Sequence, residues 1–171
     1  MLLTGRFDRA LDDKLRLALP KTFRDTLAAE KQLILTPGTD GSLSLFPGRA
    51  FTAFAEKLAA RSPTGQDVRA YSRLLYAQSQ SVEIDSQGRI RLSADLAEFA
   101  NLENSVVLIG VGDRIELWNK SRWETYLAKL QPHYDELAES ALSEPATVNG
   151  RPAVAAETPL EQAAERPHQP R

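Results

Sequence analysis

The strongest constraint on the fold is that the chain states one pattern twice. Asp12 and Arg16 are four residues apart, as are Asp85 and Arg89, and the two pairs are separated by about 73 residues. The same offset relates Leu11 to Ile84, Leu19 to Leu92, and "LIL" at 33–35 to "VVL" at 106–108. After a one-residue gap, "LSLF" from Leu43 matches "IELW" from Ile115. Phe51, Phe54, Lys57 and Leu58 then match Trp123, Tyr126, Lys129 and Leu130. A unit of roughly 50 residues is too small to close a good core by itself. Two copies therefore predict an intramolecular pseudo-dimer in which each half lends strands to the other.

Each copy reads in the same order. A short strand leads into the Asp-x-x-x-Arg turn, and an alternating apolar strand follows. A short helix comes next, opened by Pro20 in the first copy and by Ser93 as N-cap in the second. Two strands joined by a tight turn follow, with Gly38, Gly41, Gly110 and Gly112 expected to supply positive φ. An amphipathic helix closes each copy, with Phe51, Phe54, Ala55 and Leu58 on one stripe and Trp123, Tyr126, Leu127 and Leu130 on the other. Ser121 and Glu124 are spaced as a capping box for the second of these helices.

The expected organisation is a first repeat over 5–58, a connecting loop and helix over 59–77, a second repeat over 78–130, a C-terminal helix over 131–142 and a tail over 143–171. Pro63 and Gly65 mark the connecting loop, and Val68, Tyr71, Leu74 and Leu75 predict a packed helix after it. The tail is rich in Pro, Ala, Glu and Arg and has no aromatic residue. It cannot bury enough apolar surface to offset its ordering entropy, so disorder is expected there.

Residue usage removes several function classes. The chain has no cysteine, so disulfides, thiolate metal sites and cysteine nucleophiles are excluded. Its two histidines, His133 and His168, lie beyond the repeats, which leaves no catalytic triad and no His-rich metal site within them. No enzyme, cofactor, metal or small-molecule substrate is expected. Asp12 and Asp13 are neighbours on one turn, point apart, and make a poor metal pair. Nowhere do about 18 apolar residues run together, so no membrane span is expected and the cytoplasm is the default. Net charge is −2, but six basic residues (Arg6, Arg9, Lys14, Arg16, Lys21, Arg24) face three acids between 6 and 24. Such a patch can meet phosphate. Acids dominate around the second turn: Glu83, Asp85, Asp95 and Glu98.

With "LDDKLRLALPKTFR", "DSQGRIRLS" and "GVGDRIELWNKSRWETYL" in this order and spacing, the chain resembles the MraZ family over roughly residues 1–130. These are bacterial regulators built from two tandem AbrB/SpoVT-type units. The resemblance implies an α+β fold, a swapped-hairpin or double-split β-barrel with flanking helices. It also implies a homo-oligomeric ring of eight or more subunits. Such rings bind short direct repeats in double-stranded DNA, at the nucleoid, upstream of the division and cell-wall gene cluster. Carried onto this sequence, the DNA contact falls on Asp12, Lys14 and Arg16, with Arg6, Lys21 and Arg24 flanking. One position departs from the family, which usually has Gly where this chain has Leu15; the second copy keeps Gly88. A different backbone path, or packing that offsets a left-handed Leu, are the two ways to accommodate it.

A bidentate hydrogen bond holding the loop explains Asp85 and Arg89 best. For Arg16, with Lys14 beside it, phosphate contact or guanine reading is at least as good an account, and Asp12 then orients the arginine. Phe51, Phe54, Trp118 and Trp123 are at spacings suited to core or subunit-interface anchors rather than base stacking. The other function class is an AbrB-like antitoxin or protein-binding scaffold, for which the tail lacks apolar anchors.

Overall fold

The computed structural model describes residues 2–30, 32–61, 65–143, 147–148 and 151–152. The chain separates into two units, Met1–Lys129 and Leu130–Arg171. The first carries strands β1 (Leu3–Ala10), β2 (Arg16–Ala18), β3 (Leu33–Pro37), β4 (Leu43–Pro47), β5 (Gln80–Val82), β6 (Arg89–Arg91), β7 (Ser105–Gly112) and β8 (Ile115–Asn119). Its helices are α1 (Lys21–Leu27), α2 (Gly48–Ala59), α3 (Gln66–Gln78), α4 (Ala94–Phe99) and α5 (Lys120–Leu130), the last reaching the boundary. The second unit has a 3₁₀ turn over Gln131–His133, helix α6 (Tyr134–Leu142) and a two-residue ladder, β9 (Thr147–Val148) with β10 (Arg151–Pro152). Apart from Ser143 and that ladder, the segment expected to be disordered lies outside the described residues.

The copies exchange strands. Six strands form one antiparallel sheet in the order β1-β7-β8-β4-β3-β5. Among the described residues, β3–β4 and β7–β8 are the hairpins within a copy. The opening strand of each copy leaves its own hairpin: β1 pairs with β7 from Leu3↔Gly112 to Ala10↔Ser105, and β5 pairs with β3. The β4–β8 ladder joins the hairpins, and β2 pairs with β6 in a separate two-stranded ladder. The sheet ends on β1 and β5, and among the described residues no ladder joins them, so the expected barrel is not closed. The short β2–β6 ladder stands apart from the sheet, with Leu17 opposite Ile90 and both in the core.

The period-two pattern explains which faces are buried. Leu33, Leu35, Leu43, Leu45, Leu108, Ile115 and Leu117 supply one continuous core with Leu17, Leu19, Phe23, Ile90, Leu92 and Leu96. Phe46 and Trp118 head equivalent aromatic clusters with the closing helices. Phe46 packs at 5.9 Å from Phe51 and 5.7 Å from Phe54, and Trp118 at 5.4 Å from Trp123 and 5.0 Å from Tyr126.

Three local expectations change. The α5 helix starts at Lys120, one residue before Ser121, so its cap is the Asn119 side chain, whose Oδ1 accepts from the Arg122 amide at 3.2 Å. Positive φ is found at Gly41 and Gly112 but not at Gly38 or Gly110. In α3, Leu75 is buried, whereas Leu74 and Tyr71 are exposed.

Candidate nucleic-acid interface

The Asp-x-x-x-Arg spacing is a hydrogen-bonding device. In the first turn Asp12 Oδ1 accepts from the amides of Lys14 and Arg16, both at 2.9 Å. Asp12 Oδ2 accepts from Arg16 Nε and Nη2, each at 2.8 Å. The Leu15 amide donates to the Asp12 carbonyl at 2.8 Å, and the Asp12 amide to the Arg16 carbonyl at 3.1 Å. One carboxylate therefore satisfies two backbone amides and one guanidinium edge. A longer acid would move both oxygens out of reach, and a lysine cannot offer two donors from one planar edge.

The second turn repeats this set. Asp85 Oδ1 accepts from the Gln87 and Arg89 amides at 2.9 Å each, and Oδ2 from Arg89 Nε and Nη2 at 2.9 Å. Both carboxyls are held below the ordinary aspartate value of 3.8, first by the arginine's backbone amide and then by its guanidinium. Bond for bond, Arg16 supports its loop just as Arg89 does. Among the described residues the Nη1 group of neither arginine has a partner. What sets the first turn apart is Lys14, which makes no ion pair among them and stands where the second turn has Gln87. An arginine oriented on one edge by Asp12 and open on the other is equipped to grip a phosphate or a base edge.

Strand exchange redistributes the other cations. The Leu19 amide donates to the Gly88 carbonyl at 2.9 Å, and the Leu92 amide to the Leu15 carbonyl at 2.9 Å. The helix that follows each turn in sequence thus packs beside the opposite turn. Arg24 stands by the second turn, on the helix that Lys21 opens, whereas α4, with Asp95 and Glu98, follows the strand that borders the first. One cation expected beside the first turn, Arg24, is thus found at the second. Arg24 lies directly on Gly88: a Cβ there would be 2.5 Å from Arg24 Nη1 and 2.6 Å from its Cδ. The Arg24 Nε is buried with no hydrogen-bond partner among the described residues. Arg6 lies within β1, opposite Ile109 of β7. It forms an ion pair with Asp8 at 3.6 Å, and Asp8 is bonded to Lys120 at 3.0 Å. Of the six sequence-derived candidates, the first turn itself holds Asp12, Lys14 and Arg16; Arg6, Lys21 and Arg24 are elsewhere.

Arg24's position over Gly88 is the feature that sequence reasoning missed. Its signal was the same 73-residue offset, applied across the exchanged halves rather than along one copy.

Among the described residues no group of three or more His, Asp or Glu is placed to hold a metal, and no helix is long and apolar enough to cross a membrane. The fold and its paired turns define a class, the fused dimer of two small strand-exchanging units. A family model described as "MraZ protein, putative antitoxin-like" matches twice, over residues 2–74 and 75–143. A relative from Nocardia farcinica, described as "Transcriptional regulator MraZ", is 42% identical over 141 residues, covering 82% of this chain and 97% of the relative. Relatives with the same description are 41% identical in Rhodococcus opacus, covering 84% and 99%, and 38% identical in Heliobacterium modesticaldum, covering 82% and 97%. The chain belongs to the MraZ family.

Proposed function

We propose that this chain is a transcriptional regulator that binds double-stranded DNA through its first turn, with Lys14 and Arg16 as the contacts and Asp12 as the orienter of Arg16. The observation that carries this reading is the Arg16 guanidinium pre-oriented by Asp12 beside Lys14, which has no ion pair among the described residues and replaces Gln87 of the second turn, in a chain whose relatives are described as transcriptional regulators. Lys21 is a flanking cation, on the helix that carries Arg24 to the second turn. Arg24 serves that turn's packing, and Arg6 is left to its ion pair with Asp8. Asp85 and Arg89 brace the second turn.

The active form in this reading is a ring-shaped homo-oligomer of eight or more subunits. It meets direct repeats upstream of the division and cell-wall genes, in the cytoplasm at the nucleoid. The strand exchange between copies supports a swapped-hairpin arrangement. Leu2 and Leu74 remain largely exposed in the single chain, as do Tyr134 and Leu142 of α6 and its approach, which supports assembly with further copies. A ring sets identical turns at fixed intervals and makes each later contact intramolecular, so weak single contacts add up on repeated sites.

The test is a gel shift on DNA from upstream of the protein's own gene, with a thermal melt of each variant alongside. If about four protomers each neutralise about two phosphates, log K falls with log salt at a slope near −7. Arg16→Ala should abolish measurable binding while the oligomer survives. Arg89→Ala should lower the melting temperature more than it weakens binding. Wild-type affinity in Arg16→Ala, together with a much lower melting temperature, would refute the assignment.

A further inference from the structure

We propose that Leu15 is a positioning residue for the first turn, locking it by filling the space that Arg24 fills at the second turn, and that Ala97 is its required partner. The proposal rests on the reading of the first turn as the DNA contact.

Three residues other than glycine have positive φ among the described residues: Leu15 at 56°, Asp40 at 56° and Asn101 at 48°. Asp and Asn visit this region readily, but leucine does not, because its Cβ crowds the following carbonyl. Leu15 therefore needs a compensating contact, and it has one. Its side chain is half-buried and packs against the core cluster.

The pseudo-symmetry between the turns shows what this contact replaces. At the second turn the left-handed residue is Gly88, φ 77°, and the volume above it is taken by the Arg24 side chain. The repeat offset maps Gly88 onto Leu15 and Arg24 onto Ala97. The reciprocal bonds Leu19 to Gly88 and Leu92 to Leu15 place α1 and α4 equivalently against the two turns. Ala97 is buried, 6% exposed, where an arginine would need the space next to the turn. The two sites are thus opposite solutions to one packing problem. A glycine lies under a long helix side chain in one, and in the other the repeat offset sets a leucine against the short side chain at the equivalent helix position.

The consequence bears on binding. An apolar plug holds the first turn by packing on the core, and leaves no second guanidinium stacked over it. It also fixes the backbone before DNA arrives, so less conformational freedom is lost on contact. A glycine at 15 facing Ala97 would leave the turn both flexible and uncovered.

The experiment compares full-length wild type with Leu15→Gly, Leu15→Met, Ala97→Arg, the Leu15→Gly/Ala97→Arg pair and Arg16→Ala. Affinity for the upstream DNA is read by fluorescence anisotropy at 10 °C against salt, with melts to confirm that each variant is folded. Leu15→Gly should bind about tenfold or more weakly, the order expected for freeing one backbone residue in each engaged turn. Its salt slope should match wild type, since the phosphate contacts are the same. Leu15→Met keeps the apolar plug and should stay within about threefold of wild type, by the tolerance of cores for Leu-to-Met exchange. The paired variant recreates the second turn's arrangement and should recover most of the loss caused by Leu15→Gly. Should Leu15→Gly fail to fold, the paired variant and Leu15→Met still decide the matter. Wild-type affinity in Leu15→Gly with none in Arg16→Ala would overturn the proposal alone, as would a paired variant no better than its worse parent. Wild-type binding by Arg16→Ala would overturn the underlying reading and the proposal with it.

Discussion

Gly110→Ala tests the strand exchange on which the placement of every candidate residue depends. Gly110 faces Gly5 in the β1–β7 ladder. Its φ is not positive, so backbone conformation alone does not demand glycine, and in open space the change would stabilise by about 0.4–1 kcal/mol. The space is not open. A Cβ at 110 would be 2.5 Å from the carbonyl carbon of Leu3 and from the amide nitrogen of Thr4, and 2.8 Å from the Leu3 oxygen. These are backbone atoms, so no rotamer change gives relief, and the start of β1 must move away. The pairs Leu3↔Gly112, Thr4↔Val111 and Gly5↔Gly110 would open. Exposing Leu3, now 1% accessible, costs about 1.5–3 kcal/mol, and each of two or three backbone bonds adds about 0.5–1.5 kcal/mol. A net loss of about 3–5 kcal/mol follows, and the melting temperature should fall by roughly 10–20 °C. Gly112→Ala is the control. Its φ is 90°, but among the described residues the added methyl meets only Leu2 Cδ1 at 3.9 Å, so conformational strain of about 1–2 kcal/mol is the main cost. Calorimetric melts, with hydrogen exchange of the β1 amides, distinguish the two. A Gly110→Ala protein as stable as wild type would mean that β1 does not approach β7 in this register.

Acid should destabilise the protein through its turns. The Asp12 and Asp85 carboxyls are held below 3.8 in the folded chain, by amide donors first, and Asp8 is lowered mainly by its hydrogen bond to Lys120. The folded state thus binds fewer protons than the unfolded state. The stabilisation is complete above the unfolded value and is lost as pH falls through the lower folded one. Melting temperature should be flat from pH 7 to about 5 and fall below about 4, and Asp85→Asn should flatten that fall; an acid limb unchanged in the variant would refute the assignment. Asn119→Ala should cost about 1 kcal/mol. It removes the cap to the Arg122 amide and the bond from Asn119 Nδ2 to the Asn101 carbonyl at 2.7 Å, whereas Ser121→Ala should be near neutral; the reverse order in urea melts would restore the capping box.

Much of the fold was legible because the repeat supplied two independent readings of each element. Alternation at Leu17 and Leu19 and at Ile90 and Leu92, the Ser93 cap and the aromatic helix stripes all follow from local pattern. The exchange of strands was legible too, from the size of one unit. Its effect on charge was not. Arg24 is eight residues after Arg16, and linear distance put it beside the first turn. A single backbone bond from Leu19 to Gly88 carries the following helix to the other copy. Leu15 was visible as an anomaly, but the choice between a new backbone path and compensating packing needed its φ and its contact with the core. Gly110 was read as a turn residue, although its role is close approach between strands, which has no signature in a single copy.

The pairing of β1 with β7 also sets the order of events at the ribosome. Residues 3–10 find their partner in 105–112, about 100 positions later. At roughly 5–20 residues per second, the first strand waits on the order of 5–20 s before its partner has been synthesised. Through that interval Leu3 and Phe7 have no β7 to cover them, and the β3–β4 hairpin has neither β5 nor β8 beside it until those strands emerge. Half of this chain is not a folding intermediate with a finished surface but an open edge. A stalled or truncated first copy therefore presents the same strand to any neighbouring nascent copy that offers a β7, and polysome-bound chains are where mispaired assemblies would begin.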